Sequence, residues 1–444
     1  MNSTDLLTAP LGRTIFKLST PNIISMFVMT ATTMAETWYV GQLGTVSLAA
    51  LALVYPLFML MGMLSAGSIG GAVAGAVAQA LGSRDPELAD SLTLHAFVIA
   101  ILGGLVFSVI FLGFGRLIFM LLGGNAEVVA ETLAYSDVMF TGCTLIWIAN
   151  MMSSVVRAAG HMKFSAFGLI SGSGLQIIVS GVLVMGIGPI PSIGIAGAAV
   201  GGLSGMTLAS VLMLGYLLVG KAGVRLRFRG IRLQASHFGQ LLKVGLLASL
   251  SPVASVGTII VLTGFVARLG TDVLAGYGIG ARLEFLMIPV IFGIGSALIT
   301  IVGVHFGAGE IDRGHKAAWI GAAVAGAISG IIGIVLAFFP GLWVNIFSDS
   351  EAVRQACNTY LRIVGPFFGI FGFGLCLFFA SQGARRMFWP VMIGMVRLIV
   401  ISVGGALLVW LTVPTEELLF GLIALAMLLY GFGIAGAIKL GAWR

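Results

Sequence analysis

Long apolar blocks, separated by short clusters of charged residues, glycine and proline, fill the chain from residue 15 to residue 440. They fall at 15–43, 46–78, 93–116, 133–157, 165–188, 194–219, 245–269, 274–304, 317–346, 358–380, 389–412 and 418–440. Each block reaches the roughly 20 apolar residues that a helix needs to cross a hydrocarbon layer. The pattern predicts an all-α integral membrane protein with twelve transmembrane helices.

The blocks repeat. "YVGQLGTVSLAA" at 39–50 matches "FVARLGTDVLAG" at 265–276, a shift of 226 residues. Lys17 meets Lys243 at the same shift, Tyr135 meets Tyr360 at 225, and Gly160 in "RAAGHMK" meets Gly383 in "SQGARRM" at 223. A nearly constant shift of half the chain marks a tandem duplication. Six helices per copy is an even number, so the second copy enters from the same side and the copies are parallel repeats. The expected organisation is a six-helix lobe over 1–220, a basic linker over 221–243 and a second six-helix lobe over 244–444. The interface between the lobes is the natural place for a cavity.

Composition agrees. The chain of 444 residues is 59% hydrophobic and only 9% charged, and its mean hydropathy of +1.11 leaves little sequence for a soluble domain. Arg13 and Lys17 run directly into the first block with no cleavage site between, so the first helix is expected to be retained. The basic residues lie mostly in the tails and alternate loops, from Arg13 and Lys17 through Arg84, Arg157, Lys163 and the linker arginines to Arg385, Arg386, Lys439 and Arg444. That asymmetry places both termini in the cytoplasm of a bacterial or archaeal plasma membrane. The net charge of +7 then reports topology and contact with anionic membrane lipid rather than with nucleic acid.

Several chemistries find no support. Cys143, Cys357 and Cys376 lie at no ligand-like spacing, so neither a disulfide framework nor a metal site is predicted. The five histidines fall at inner helix ends or in loops and read as interfacial. There is no glycine-rich phosphate loop, so direct ATP drive is not expected, and nothing points to a cofactor or an enzyme.

One residue stands out against this apolar background. Glu36 lies about 12 Å before Gly44 and nearly 30 Å beyond Lys17 along the first helix, in the half of the membrane away from the termini. Neither end is within reach. A charge near the bilayer centre costs at least about 2.5–3.5 kcal/mol, so Glu36 is a functional candidate, able to load and lose a proton or to accept a cation. Thr32, Thr33 and Met29 share its helix face and could line a cavity with it.

Together, "VGQLGTVSLAA" after an acid in the first helix, "AQALGSRDPELA", "RAAGHMK", "GIAGAAVGG" and the second-half echoes "VHFGAGEIDRGHKA" and "SQGARRMFWP" resemble the multidrug and toxic compound extrusion (MATE) family. The resemblance covers essentially the whole chain. It implies a V-shaped pair of lobes around a central cavity, exporting organic cations or amphiphilic drugs in exchange for protons or sodium. It also implies a coupling acid at Glu36, usually Asp in the family. Where the family's fifth helix reads asparagine and then aspartate, this chain has Gln176 and Ser180, and Gly202 replaces an expected threonine. One carboxylate with a glutamine and a serine is a thin shell for a hard cation, so proton coupling is favoured over sodium.

Other polar groups have weaker patterns. Arg282 and Glu284 lie two apart in the eighth helix and point to different faces, and Arg397 is deep in the eleventh. An ion pair of Glu284 with Arg397 or Arg268 that fixes lobe packing is the leading expectation, with a second proton or cation site as the alternative. Asn150 and Gln79 are expected to bond between helices or line the cavity. Trp38, Trp147 and several methionines could give an adaptable lining or could simply pack. A flippase for lipid-linked sugars is the alternative function, and would call for more cavity arginines. A monomer is the expected state, since the two halves already supply both sides of a pathway.

Overall fold

The computed structural model describes residues 3–186, 188–411 and 415–443; Arg444 of the basic tail lies outside them. The described residues form twelve long helical segments. In order they are Leu11–Gly41, Thr45–Gly82, Pro86–Leu121, the pair Ala126–Thr141 and Cys143–Ala158, Met162–Met185, Ile195–Val219, Ala235–Ala267, Thr271–Gly307, Ile311–Phe338, Glu351–Gly383, Phe388–Leu411 and Glu416–Lys439. Ten are long and apolar enough to cross a membrane, and the fourth segment makes eleven when its two helices, bent by 52°, are taken as one. The first is 31 residues long; besides Arg13, Lys17 and Glu36 it carries Ser19, Thr20, Asn22, Ser25, Thr30, Thr32 and Thr33, which lower its apolarity without shortening its reach. Several helices begin earlier than their apolar blocks, the seventh by ten residues at Ala235 and the third, fourth and tenth by seven, because polar residues form their first turns; only the ninth block, 317–346, ends well short. There Phe338 ends the helix, and Pro340 opens a separate short turn, Gly341–Val344.

The duplication is visible in the backbone. Gly44 and Gly270 open the second and eighth segments with φ of 117° and 115°, a conformation closed to side chains with a Cβ. The left-handed residues that follow the helix ends also pair, Arg84 with Gly309 and Gly160 with Arg385. This corrects the alignment of Gly160 with Gly383. The structural mate of Gly160 is Arg385, two residues further on, which restores the common shift of 225.

The first and last described stretches of the chain and the linker lie at one end of the bundle, the basic end. The Ala9 carbonyl accepts from Arg313, the Trp443 indole donates to Ser381, and the backbone N–H of Gln234 donates to His95. The linker differs from a solvated connector. Ala222, Val224 and Leu226 are buried while the residues between them are exposed. Asp90 holds this ribbon, accepting from the Arg225 N–H at 2.6 Å and facing Arg227 Nε at 3.3 Å. His95 and His305, expected at interfaces, are fully buried. His95 is fixed between the Ser91 carbonyl and the linker, where its ring packs against His237 and Phe238.

The lobes join through the halves of their helices nearer the basic end. Asn22 donates to Ser296, Gln79 to the Gly383 carbonyl, Gln382 to the Gly67 carbonyl and Thr300 to the Arg157 carbonyl. The joint is pseudo-symmetric: a Cβ at Gly82 would strike the Val304 carbonyl, and one at its repeat mate Gly307 would strike the Gln79 carbonyl. Absence of side chains lets the second and eighth segments cross in backbone contact. At the far end Trp38, Tyr55, Val256 and Ile260 are exposed. Interlobe hydrogen bonds recorded among the described residues are confined to the other half, so the lobes are closed at the basic end and part toward the far one.

Candidate functional site

Glu36 is 8% exposed and held by two donors. The Tyr135 hydroxyl, from the first helix of the bent fourth segment, donates to Oε1 at 3.0 Å. The Gln176 amide, from the fifth segment, donates to Oε2 at 2.8 Å. Hydrogen bonds to a charged group contribute about 1.5–3 kcal/mol each, so two are comparable to the cost of an acid at this depth. Glycine lets the first and fifth segments approach: Tyr39, three residues on from Glu36, lies against Gly181 of the fifth segment, where a Cβ would stand 2.9 Å from its ring.

Of the residues expected near Glu36, Gln176 alone bonds to it. Thr32 and Thr33 donate to the carbonyls of Val28 and Met29 in their own helix, and Ser180 to that of Ala198. Asn150 donates to Ser65, a helix-to-helix bond. Trp147 is a core residue, 2% exposed, tilted against Phe107. Met29 is half-buried and Trp38 is 56% exposed. Tyr135 is the partner that sequence reasoning missed; its pairing with Tyr360 across the duplication was the available signal.

The expected ion pair in the second lobe is not formed. Among the described residues Glu284 makes no salt bridge with Arg397 or Arg268. It accepts instead from the Tyr360 hydroxyl, and Tyr360 is fully buried, edge-on to Tyr277 and Phe420. The Arg397 guanidinium carbon lies 4.8 Å from the centre of the Phe371 ring and 5.7 Å from that of Tyr430, so its direct contacts are with aromatic faces, which attract a cation. Arg282 lies over Phe347 at 5.8 Å. Among the described residues no group of three or more His, Cys, Asp or Glu could hold a metal ion.

A duplicated helical membrane fold, joined at one end and carrying a buried acid in its first helix, defines the architecture of a two-lobe transporter. The MatE family model matches residues 21–182 and 249–408, one match in each lobe; the chain belongs to this family of multidrug efflux transporters. It is 26% identical over 438 residues to a protein of Shewanella oneidensis named "FAD transporter", covering 94% of each. It is 23% identical over 423 residues to the Staphylococcus aureus "Multidrug export protein MepA", covering 92% of each. A solved structure described as the outward-facing conformation of a multidrug resistance MATE family transporter superposes with a TM-score of 0.90 at 23% identity, over 100% of this chain and 99% of that one.

Proposed function

We propose that this protein exports organic cations or amphiphilic drugs in exchange for protons, with Glu36 as the coupling group and the basic end in the cytoplasm. The observation that carries the reading is the pair of donors on Glu36. Both are ambivalent: a tyrosine hydroxyl can accept as well as donate, and a glutamine amide offers NH2 to a carboxylate or, turned over, its carbonyl to a carboxylic acid. The same shell therefore satisfies Glu36 in either protonation state. Proton entry from the far side removes the negative charge that favours a bound cation, and loss of the proton toward the cytoplasm restores it. Sodium is disfavoured because both carboxylate oxygens already have donors, and the hydroxyls of Thr32, Thr33 and Ser180 are turned to backbone carbonyls.

The test is ethidium uptake into acid-loaded proteoliposomes, wild type against Glu36→Gln. Uptake driven by the proton gradient and lost in the variant is the expected result. Uptake driven by sodium alone, or unchanged in Glu36→Gln, overturns the coupling.

A second substrate class has its own support. The Shewanella relative is named for a dinucleotide, and Arg157, beside the interlobe joint, holds a buried guanidinium on the hydroxyls of Ser153 and Ser154 with no ion pair among the described residues. A guanidinium without a carboxylate suits a phosphate group. FAD uptake that fails in Arg157→Gln while ethidium is ignored would favour this reading over cation export.

A further inference from the structure

A groove of about 640 Å³ runs between the first and fifth segments at the basic end. Arg13, Lys17 and Lys163 are at its mouth, and Phe16, Phe167 and Ile24 are on its walls. The order along each helix matters. On the first segment Arg13, Lys17, Thr20 and Ile24 succeed one another at three- and four-residue steps and so lie on one face. Cations come first, and an exposed isoleucine stands about 16 Å deeper. On the fifth segment Lys163, Phe167 and Ile170 repeat that progression. Two helices thus present one polarity, positive at the headgroup level and apolar toward the membrane interior.

The three cations are exposed, and among the described residues none makes a salt bridge. A second cavity of about 230 Å³ adjoins the groove, shares Lys17 and Lys163, and is closed by Gly160, His161 and Tyr216. His161 is tied to the Tyr216 hydroxyl at 2.8 Å. The fifth helix begins here, at Met162, so its positive dipole end adds to the lysines. Room for a compact polar group therefore opens directly onto room for a long apolar one.

We propose that this groove binds one anionic phospholipid of the surrounding membrane, its phosphate between Lys17, Lys163 and Arg13 and an acyl chain along Phe16, Ile24 and Phe167. A soluble anion would use the cations and leave the apolar walls empty; a zwitterionic lipid would fill the walls and gain little from three unpaired cations. Only an anionic amphiphile matches both. The lipid would brace the two helices that carry Glu36 and Gln176 further along, which makes its occupancy relevant to transport whatever the substrate.

The experiment is native mass spectrometry of the full-length protein, titrated with dioleoylphosphatidylglycerol, dioleoylphosphatidylcholine or sodium phosphate. Each cation near a headgroup favours an anionic lipid by about fivefold. The wild type is expected to retain one phosphatidylglycerol at least tenfold more tightly than phosphatidylcholine. The triple variant Arg13→Gln/Lys17→Gln/Lys163→Gln should lose that preference, and a linker variant of equal charge change, Arg225→Gln/Arg229→Gln/Arg232→Gln, should keep it. Phe167→Ser should weaken both lipids. Equal retention of the two lipids by the wild type, an unaltered preference in the triple variant, or displacement of the lipid by millimolar phosphate would each overturn the proposal.

Discussion

Tyr135 and Tyr360 stand 225 residues apart in the two copies of the repeat, and each donates its hydroxyl to a glutamate supplied by a different helix: the buried Glu36 from the first segment, the half-buried Glu284 from the eighth. Duplication preserved the tyrosine while the acid moved. At the position equivalent to Glu36 the second lobe has Leu262, which is buried. The lobes are therefore built alike and charged differently.

Removing each hydroxyl separates the two roles. Tyr135→Phe leaves Glu36 Oε1 without its donor, and the loss of a hydrogen bond to a charged group amounts to about 1.5–3 kcal/mol. Proton-driven ethidium uptake is expected to fall by roughly tenfold or more. Tyr360→Phe should lower the thermal midpoint of the purified protein and leave the proton drive in place. Equal losses of uptake in both variants would show that the second acid also couples.

The crossing of the second and eighth segments predicts a conformational bias. Gly82→Ala and Gly307→Ala each drive a methyl into a carbonyl of the other lobe, a clash with backbone that no rotamer relieves. The closed basic end should become disfavoured and the far end should close in exchange. The native cysteines are all buried, so spin labels placed at Arg84→Cys and Glu310→Cys report the joint. Either alanine should shift their distance distribution toward longer separations; an unchanged distribution would mean that the helices slide without parting.

The linker prediction follows from Asp90. Asp90→Asn weakens the contacts to Arg225 and Arg227, and His95→Phe removes the acceptor of the Gln234 N–H. Docking should loosen, and trypsin should cut between residues 225 and 232 several-fold faster, while the helical bundle stays intact by circular dichroism. Equal cleavage rates would mean that burial of Ala222, Val224 and Leu226 alone holds the ribbon.

Much of this architecture was legible because its determinants are local. Span length, the duplicated "LGT" turn and the glycine that opens it are written in consecutive residues, and the position of Glu36 follows from counting along one helix. What escaped was set between helices. Tyr135 looks like one more aromatic until the fourth segment is packed beside the first. The threonines that share the Glu36 face prefer their own backbone carbonyls, which helical geometry always offers to hydroxyls. The linker arginines suggest a solvated run, with a surface ribbon as the alternative that their alternation allows, and burial of the apolar residues between them decides for the ribbon. The register slip at Gly160 has a similar origin: glycine was matched to glycine, whereas the backbone repeats a left-handed position, filled once by Gly160 and once by Arg385.

The same limit explains the ion pair that does not form, and it yields the sharpest energetic test. Opposite charges deep in one lobe suggest pairing, but Arg397 packs on Phe371 and Tyr430, and its Nε is a buried donor without a partner. If Arg397 neutralised Glu284 directly, Arg397→Met would strand a half-buried carboxylate, at a cost below the about 3–5 kcal/mol of a fully buried pair but still clearly destabilising. With Glu284 served by Tyr360 instead, methionine keeps the contact with the rings and removes an unsatisfied donor, itself worth about 1–3 kcal/mol. Arg397→Met is therefore expected to be neutral or stabilising in thermal unfolding. In the cycle with Glu284→Gln the coupling should stay below about 1 kcal/mol; a coupling of several kcal/mol would restore the ion pair as the element that holds this lobe together.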